Sequence, residues 1–476
     1  MHQETVMTGT EGLDRAIGGG FPRGGLILVA GNAGTGKTVF SAQFLYRGAV
    51  DCGENGVYVS FAENSEVFHK NMKAFGFDFE RLEREGRFRY LDMVAVREES
   101  ISSVLKTIVE ETHRLDAKRL VIDSFSAVAQ AFKKPFDARI VIHTVLSRIT
   151  RQTGCTTLMI VEVPFGTERI GLGMEEFVAD GVLLFRADEL DGRLFRDIMV
   201  KKMRGAEILE DKIPFTLKNG LKAFPSFEVR LPKKKERFRP LPDSATKFST
   251  GSSELDSLLD GGYPKGSTVL LEMGRNVSIL QYHLILSPTV WNFLAKGACV
   301  IVTPSSGVDY RLIKKRAAES GLPSDTIERL LRVCAFRSVT TPKDPHVVEF
   351  EGKSIEEDYE RYLKIAAEIR QQTGRPILHI LGVDTLLAYY GRTDTMKILN
   401  LSVTTIREHG ALGIFLLKPT YFGISGPLNA IADVHLKIVR EHGASLLYGL
   451  KPRTMLHFVE MDVSKGYPLP ELTPVI

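Results

Sequence analysis

Short apolar runs alternate with segments of helical spacing along the first part of the chain. The apolar runs are continuous, at LILVAG (26–31), VYVSF (57–61), FRYLDM (88–93), RLVIDS (119–124) and TTLMIVEV (156–163). Helical patterns lie between them, at Lys37–Val50 and near residues 65–75, 101–114 and 137–151. Strands that are apolar on both faces and joined by helices are typical of a parallel sheet covered on both sides. After Asp180 the pattern changes and predicts a hairpin-like antiparallel extension.

An internal repeat organises the chain. The segment TGTEGLDRAIGGGFPRG (8–24) returns without a gap as TGSSELDSLLDGGYPKG (250–266), and eight of its seventeen positions are identical. The displacement is 242 residues throughout this segment. Further along, Ala179-Asp180 returns as Ala432-Asp433, with a displacement of 253 residues. We interpret the chain as a tandem duplication whose loops differ in length.

A basic segment that contains prolines separates the two copies. Residues 226–245 read SFEVRLPKKKERFRPLPDSA and show no sustained apolar period, which is typical of a linker. We therefore predict domains at residues 1–225 and 246–476. Residues 230–240 carry a net charge of +5 and the whole chain +4, so the remainder sums to −1. We interpret this strip as a solvated tether, and a docking site for nucleic acid or an acidic partner is the alternative.

Composition excludes several classes of protein. Hydrophobic residues make up 43% and charged residues 25% of the chain, which is ordinary for a globular protein. No apolar run approaches the roughly 18 residues of a membrane-spanning helix, and the N-terminus MHQET lacks the features of a secretory signal. The four cysteines show no metal-binding or redox spacing. We expect a cytoplasmic protein with no membrane partner.

The strongest chemical signal is a phosphate-binding loop. It matches the pattern G-x-x-x-x-G-K-[ST] completely and lies between a predicted strand and a predicted helix. Glycines let backbone N–H groups approach phosphates closely, the lysine supplies a positive charge, and the hydroxyl after it is a ligand for Mg²⁺. The helix N-terminus adds a partial positive charge. The predicted phosphate-binding residues are Gly31, Asn32, Ala33, Gly34, Thr35, Gly36, Lys37 and Thr38.

A carboxylate is predicted to complete the metal site. Asp123 ends the apolar strand RLVID, at the edge of the sheet where the loop is expected. From there it can hold the magnesium shell through water or through Thr38. Many strands end in aspartate for reasons of turn geometry alone, which is the alternative explanation.

These motifs resemble a known family. GLD and GGGFPRG, then GNAGTGKTVFSAQFLYRGA, VIDSFSAV, GLGMEEFVADGV and KKMRG, are similar to the KaiC-like branch of RecA-type ATPases. The second copy resembles a second KaiC-type domain, and the whole is more loosely similar to gas-vesicle regulators of the GvpD type. The resemblance implies an α/β fold of two tandem RecA-like P-loop domains, each a mainly parallel sheet flanked by helices with a C-terminal antiparallel extension. It also implies ATP and Mg²⁺ at a subunit interface, in a homo-oligomeric ring that is often a hexamer.

The resemblance carries over to the water-activating position only in part. The family has two adjacent glutamates after the strand that follows the loop helix, and the first activates water. This chain has Ala62 and Glu63 there. Alanine cannot accept a proton, so Glu63 replaces the missing base or hydrolysis is very slow.

The family also projects a Lys-x-Arg pair into the nucleotide of a neighbouring subunit. Lys202 and Arg204 match that pair, and cations at this place stabilise charge on the γ-phosphoryl group. The alternative is a pair of solvated charges on an edge strand, where lysine also discourages aggregation. The family's following Thr and His are Ala206 and Ile208 here, which weakens the match.

The second copy has lost the chemical residues. The displacement of 242 places Ile279 and Leu280 at the positions of Lys37 and Thr38. Asp384, after an apolar run, is what remains of the metal-site carboxylate. We predict that this copy does not bind ATP in the usual way and serves assembly or signalling.

Three functions remain open at this point. The first is a regulatory ATPase that binds Mg-ATP, hydrolyses it slowly and signals to a protein partner. The second is a RecA paralogue acting on DNA in recombination or repair, which the nearly neutral charge outside the basic strip does not favour. The third is a scaffold that binds nucleotide without hydrolysing it, as the alanine at position 62 suggests.

Overall fold

A computed structural model describes residues 4–93, 101–124, 154–164, 166, 179–337, 344 and 346–476. The chain divides into two units. The first unit consists of Met1–Ser226 with His442–Ala444 and Pro474–Ile476, and the second of Phe227–Glu441 with Ser445–Thr473.

The apolar strands of the first unit form one mixed sheet. Its strands are β3 (Leu26–Gly31), β4 (Gly56–Ser60), β5 (Phe88–Asp92), β6 (Arg119–Asp123), β7 (Thr156–Glu162), β8 (Gly181–Leu190), β9 (Arg193–Met203), β10 (Lys212–Thr216) and β11 (Lys222–Ala223), beside a two-stranded sheet of β1 (Thr5–Val6) and β2 (Phe21–Pro22). In the described part of the unit the order of the large sheet is β11-β10-β9-β8-β3-β7-β6-β4-β5. Along this order the strands from β8 to β5 pair in parallel, whereas β8, β9, β10 and β11 pair antiparallel.

Helices cover the sheet of the first unit. They are α1 (Glu11–Ala16), α2 (Lys37–Cys52), α3 (Ser65–Ala74), α4 (Phe79–Arg84) and α5 (Ile101–Arg114) among the described residues. Successive residues of β3 belong to different apolar clusters, because Ile27 and Val29 pack on one face and Leu28 and Ala30 on the other. Burial on both faces explains why these runs are continuously apolar. The sequence did not predict α1 or α4, and the helix expected near 137–151 lies outside the described residues.

The second unit repeats this architecture. Its strands are β12 (Lys247–Phe248), β13 (Tyr263–Pro264), β14 (Ser267–Met273), β15 (Val300–Thr303), β16 (Leu331–Phe336), β17 (Val347–Phe350), β18 (Leu378–Gly382), β19 (Leu412–Leu417), β20 (Val434–Glu441), β21 (Ala444–Lys451), β22 (His457–Asp462) and β23 (Leu469–Pro474). In the described residues the large sheet has the order β17-β16-β15-β18-β19-β14-β20-β21-β22-β23, with β14 at the place of β3. The helices are α6 (Ser253–Leu258), α7 (Ile279–Ala295), α8 (Tyr310–Ala318), α9 (Ser324–Leu330), α10 (Ile355–Thr373), α11 (Val383–Glu408) and α12 (Ser425–Ile431).

Repeated residues make repeated contacts. The backbone N–H of Thr8 donates to Asp14 at 2.8 Å, and that of Thr250 donates to Asp256 at 2.7 Å. In the same way Asp180 accepts from the N–H of Leu26 at 3.0 Å, and Asp433 accepts from that of Thr268 at 2.9 Å. The α/β fold class of two tandem, mainly parallel domains is confirmed.

The basic strip has no regular secondary structure, but one of its side chains is buried in the second unit. Residues 226–245 form no helix or strand, and within the second unit Phe238 is buried against Trp291 and Tyr467. Its ring lies edge-on to both, with centroids 5.7 and 5.2 Å away. The charged side chains of the strip are mostly exposed, and the linker boundaries stay a prediction.

None of the helices in the described part of the chain is both long and apolar enough to span a bilayer.

Asp14 makes the stability of the first unit depend on pH. Burial raises the pKa of this carboxyl from 3.8 to about 6. The folded state therefore holds a proton that the unfolded state has released between those pH values, and stability falls as pH rises through that interval. A shift of this size corresponds to about 3 kcal/mol. We expect Asp14→Asn to become more stable relative to wild type, by up to that amount, between pH 4 and pH 6.5.

Urea unfolding at several pH values, followed by circular dichroism, measures this difference. Asp51→Asn, which changes an exposed carboxylate in α2, is the matched control and should give a curve parallel to wild type. A curve for Asp14→Asn that is also parallel to wild type would contradict the prediction.

Candidate nucleotide-binding site

The phosphate-binding loop connects the end of β3 to the start of α2. Gly36 precedes α2 with φ +98°, and as a glycine it has no side chain to cap the first N–H groups of the helix. A Cβ at Gly31 would lie 2.5 Å from the carbonyl oxygen of Phe185. The Asn32 side chain donates to the carbonyl oxygen of Val163 at 2.8 Å. This hydrogen bond connects the loop to the end of β7, the neighbouring strand in the sheet. The helix N-terminus is thus open for an anion.

Lys37 lies folded over this loop. Only 7% of the residue is exposed, and its ammonium group donates to the carbonyl oxygens of Gly31 and Asn32 at 2.9 and 2.7 Å. Burial lowers the pKa of Lys37, and the nearby charges of Glu162 and Asp123 act in the opposite direction. A buried cation held by two weak acceptors is available to exchange them for the phosphate oxygens of a nucleotide.

The predicted metal ligands are in direct contact. The Thr38 hydroxyl donates to Asp123 Oδ2 at 3.0 Å, and the hydroxyl of Tyr58 donates to the same oxygen at 2.6 Å. Burial raises the pKa of Asp123, while these hydroxyls and Lys37 oppose that rise. A carboxylate and a hydroxyl oxygen are the hard donors that Mg²⁺ prefers, so Thr38 and Asp123 fit the ion that the fold family implies.

Glu63 is the acidic residue at the predicted water-activating position. It is half-buried, and its carbonyl oxygen accepts from the Tyr90 hydroxyl at 2.7 Å. Burial raises the pKa of its carboxyl, and the charge of Asp123 raises it further. Its carboxylate and Asp123 are therefore close enough to interact, whereas Ala62 is exposed and offers no acceptor.

Lys202 and Arg204 lie near the amino-terminal ends of the parallel strands, whereas the loop lies at their carboxyl-terminal ends. Met203 pairs with Gly181 at the amino-terminal end of β8, and Arg204 forms an ion pair of 3.4 Å with Asp180. Asp180 also accepts from the N–H of Leu26, the first residue of β3. The ion pair of Arg204 therefore lies beside the start of β3, whereas the loop follows the end of that strand. The structure does not bring these two cations to the loop of their own unit.

Sequence reasoning missed three side chains at the site. Tyr58 contacts Asp123, and Glu162 acts on Lys37. The third is Arg196, whose guanidinium donates to the carbonyl oxygen of Gly34 at 2.9 Å. Tyr58 and Glu162 lie on two of the predicted strands, so the order of these strands in the sheet could have indicated them. No sequence signal pointed to Arg196, since it belongs to the antiparallel extension.

In the second unit the corresponding helix N-terminus is closed by the protein itself. The Ser278 hydroxyl accepts from the N–H of Gln281, and the Gln281 side chain accepts from the N–H of Ser278, which is a complete capping box. These groups satisfy donors that the first unit leaves open. With Ile279 at the lysine position as well, this helix N-terminus has neither the open N–H groups nor the cation of the first unit.

Several known proteins are similar to this chain. A family model described as the KaiC ATPase matches residues 6–225, and one described as GvpD basic region 2 matches residues 237–319. Circadian clock protein KaiC3 of Synechocystis sp. is 31% identical over 294 residues, which cover 59% of this chain and 56% of that protein. A UPF0273 protein of Thermotoga maritima is 35% identical over 241 residues, or 46% of this chain and 96% of that protein. The solved structure of a KaiC-like protein from Pyrococcus horikoshii OT3 is 35% identical, covers 47% of this chain and 100% of that chain, and has a TM-score of 0.43.

The fold and the loop define the class as RecA-type P-loop ATPases. Within that class, the chain belongs to the KaiC-like family. It spans about half the length of the circadian clock KaiC proteins that it matches, 56% and 51% in two of them.

Proposed function

We propose that the first unit binds Mg-ATP and hydrolyses it slowly, and that the chain is a KaiC-like regulatory ATPase. The observation that carries this proposal is the open phosphate-binding loop, with buried Lys37 above it and the Thr38–Asp123 contact beside it. Lys37 and the loop N–H groups bind the phosphates, and Thr38 and Asp123 hold the metal. The bound Mg²⁺ would neutralise charge on the β- and γ-phosphates.

Slow rather than rapid hydrolysis follows from the acidic residues. The exposed Ala62 removes the carboxylate that the family places nearest the attacking water, and the remaining Glu63 is half-buried with a raised pKa. A general base contributes roughly 10²–10⁴-fold to such a step, so a poorly placed one reduces turnover by a comparable factor. The same observation favours a second candidate function, a scaffold that binds ATP and never hydrolyses it.

We further propose that the second unit serves assembly or signalling and that the chain forms a homo-oligomeric ring in the cytoplasm. The self-capped helix at Ser278 supports a role without ATP for this unit. Ring assembly would place Lys202 and Arg204 of one subunit at the nucleotide of the next. They lie near the strand ends opposite the loop of their own unit, which is consistent with action on the nucleotide of a neighbouring subunit.

Phosphate release from the full-length protein with Mg-ATP tests the function. We expect turnover that disappears when EDTA removes Mg²⁺, because Thr38 and Asp123 then hold no cation against the phosphates. Equilibrium binding of ATP, measured in parallel, separates the two candidates. Bound ATP without release would favour the scaffold, and no bound ATP would overturn both.

Sedimentation with and without ATP tests assembly. We expect an ATP-dependent ring in wild type, and in Lys202→Ala/Arg204→Ala a ring of the same size with reduced turnover. A monomer at all ATP concentrations would overturn the proposal of action in trans.

A further inference from the structure

We propose that Glu162 is the carboxylate that orients and deprotonates the attacking water, in place of the glutamate missing at Ala62. This inference rests on the proposed ATPase function and assigns a residue to its chemical step. Neither the loop motif nor the family resemblance singles out Glu162, which the structure places beside Lys37.

Strand register fixes the position of Glu162. It is the last residue of β7 and lies directly opposite Gly31, the first residue of the phosphate-binding loop, in the parallel pair β3–β7. The next residue along, Val163, donates its N–H to the carbonyl oxygen of Gly31 at 3.0 Å. That same oxygen accepts from Lys37, so the backbone of Glu162 is locked to the loop.

The sheet order places Glu162 between the phosphate-binding loop and Asp123. Strand β7 lies between β3, which carries the loop, and β6, which ends at Asp123. Glu63 follows β4, one strand beyond β6. Glu162 is therefore nearer to the loop in the sheet than Glu63 is, and its side chain is exposed to the solvent that must supply the attacking water.

Electrostatics agree with this placement. The charge of Glu162 raises the pKa of Lys37 against the effect of burial, and it does so more strongly than the charge of Asp123. It also contributes to the raised pKa of Asp123. The Glu162 carboxylate therefore acts electrostatically on both the lysine of the loop and the carboxylate of the predicted metal site.

The second unit provides an internal comparison. The displacement of 242 places Met273 at the position of Gly31. Its neighbour Glu272 pairs with Leu417 in the parallel pair β14–β19, so the next residue, Lys418, stands at the position of Glu162. The charge at this position is thus reversed in the copy that has Ile279 instead of the loop lysine. The Lys418 ammonium donates to the carbonyl oxygen of Ser306 and interacts with the charge of Asp384. An acidic residue here accompanies the phosphate-binding lysine and is absent from the copy without it.

The step balances with water as the only co-reactant. The water oxygen forms a bond to the γ-phosphorus while the bond from that phosphorus to the β–γ bridging oxygen breaks. Glu162 accepts a proton from the water and returns it to the released phosphate, leaving ADP and inorganic phosphate as products.

Single-turnover phosphate release and ATP affinity, measured separately on the full-length protein, test the inference. We expect Glu162→Gln to lower the single-turnover rate, with the protein in saturating excess over Mg-ATP, by at least roughly 10-fold. Its ATP affinity should be unchanged or higher, because a negative charge near the phosphates is removed. Glu110→Gln, which changes an exposed glutamate of α5, is the matched control and should change neither quantity.

A rescue variant separates chemistry from structure. Ala62→Glu restores a carboxylate at the family position, and we expect it to recover most of the rate lost in Glu162→Gln. A rate for Glu162→Gln within twofold of wild type would overturn the inference, as would a rate that returns to the wild-type value once the protein concentration is raised to compensate for weaker ATP binding. Wild type that binds ATP without turnover would also overturn it and leave nucleotide binding intact, whereas wild type that binds no ATP would overturn the proposed function itself.

Discussion

Replacing Lys37 with alanine is expected to weaken ATP binding at least roughly 100-fold and to abolish phosphate release, the largest functional effect that the structure indicates. The ammonium group lies over the phosphate-binding loop with 7% of the residue exposed, and it now donates to two backbone carbonyls. With ATP it would donate instead to charged phosphate oxygens. Each such charge-assisted bond is worth about 1.5–3 kcal/mol, and alanine supplies neither.

Titration calorimetry with ATP measures this loss, and the chain provides its own control. Ile279 is the first residue of α7 and stands at the lysine position of the second unit. We expect Ile279→Ala to leave the ATP affinity unchanged. Equal affinity losses in the two variants would contradict the assignment of the site to the first unit.

Replacing Arg119 with alanine is expected to destabilise the first unit by about 3–5 kcal/mol. Only 1% of the residue is exposed, and its Nε and Nη2 atoms each lie 2.7 Å from Glu54 Oε2. Its Nη1 donates to the carbonyl oxygens of Met7 and Phe44 at 3.0 and 2.8 Å. Alanine would leave Glu54 without this cation and both carbonyls without this donor, in a place from which water is largely excluded.

Urea unfolding followed by circular dichroism measures this change in the free energy of unfolding. Arg114→Ala is the control, since that arginine forms an exposed ion pair of 2.6 Å with Glu111 and should contribute less than about 1 kcal/mol. Trp291, the single tryptophan of the chain, reports on the second unit by its fluorescence. A loss for Arg119→Ala no larger than that for Arg114→Ala would refute the prediction.

Much of the fold follows from the sequence because it depends on local patterns. The apolar runs of the first copy are parallel strands, and the loop from Gly31 to Thr38 joins a strand to a helix as its motif requires. The helix α4 escaped prediction because its six residues contain only two buried positions, Phe79 and Leu82, too few for a period to show.

The site was only partly predictable because several of its contacts depend on strand register. Asp123 follows from its place at a strand end, but the bond from Tyr58 requires β4 and β6 to be neighbours in a known alignment. Glu162 looks like an ordinary exposed glutamate until its pairing with Gly31 is known. Residues far apart in sequence meet here through hydrogen bonds of the sheet, which no local pattern encodes.

The capping box of the second unit would oppose the formation of a phosphate-binding site there. A single change of Ile279 to lysine would return the charge but not the open donors, because Ser278 and Gln281 still satisfy each other's backbone N–H groups. Removing the cap first would cost about 1 kcal/mol of stability before any ligand could compensate. A phosphate-binding second unit would therefore require at least two changes, one of which lowers stability while the other alone leaves the backbone donors satisfied.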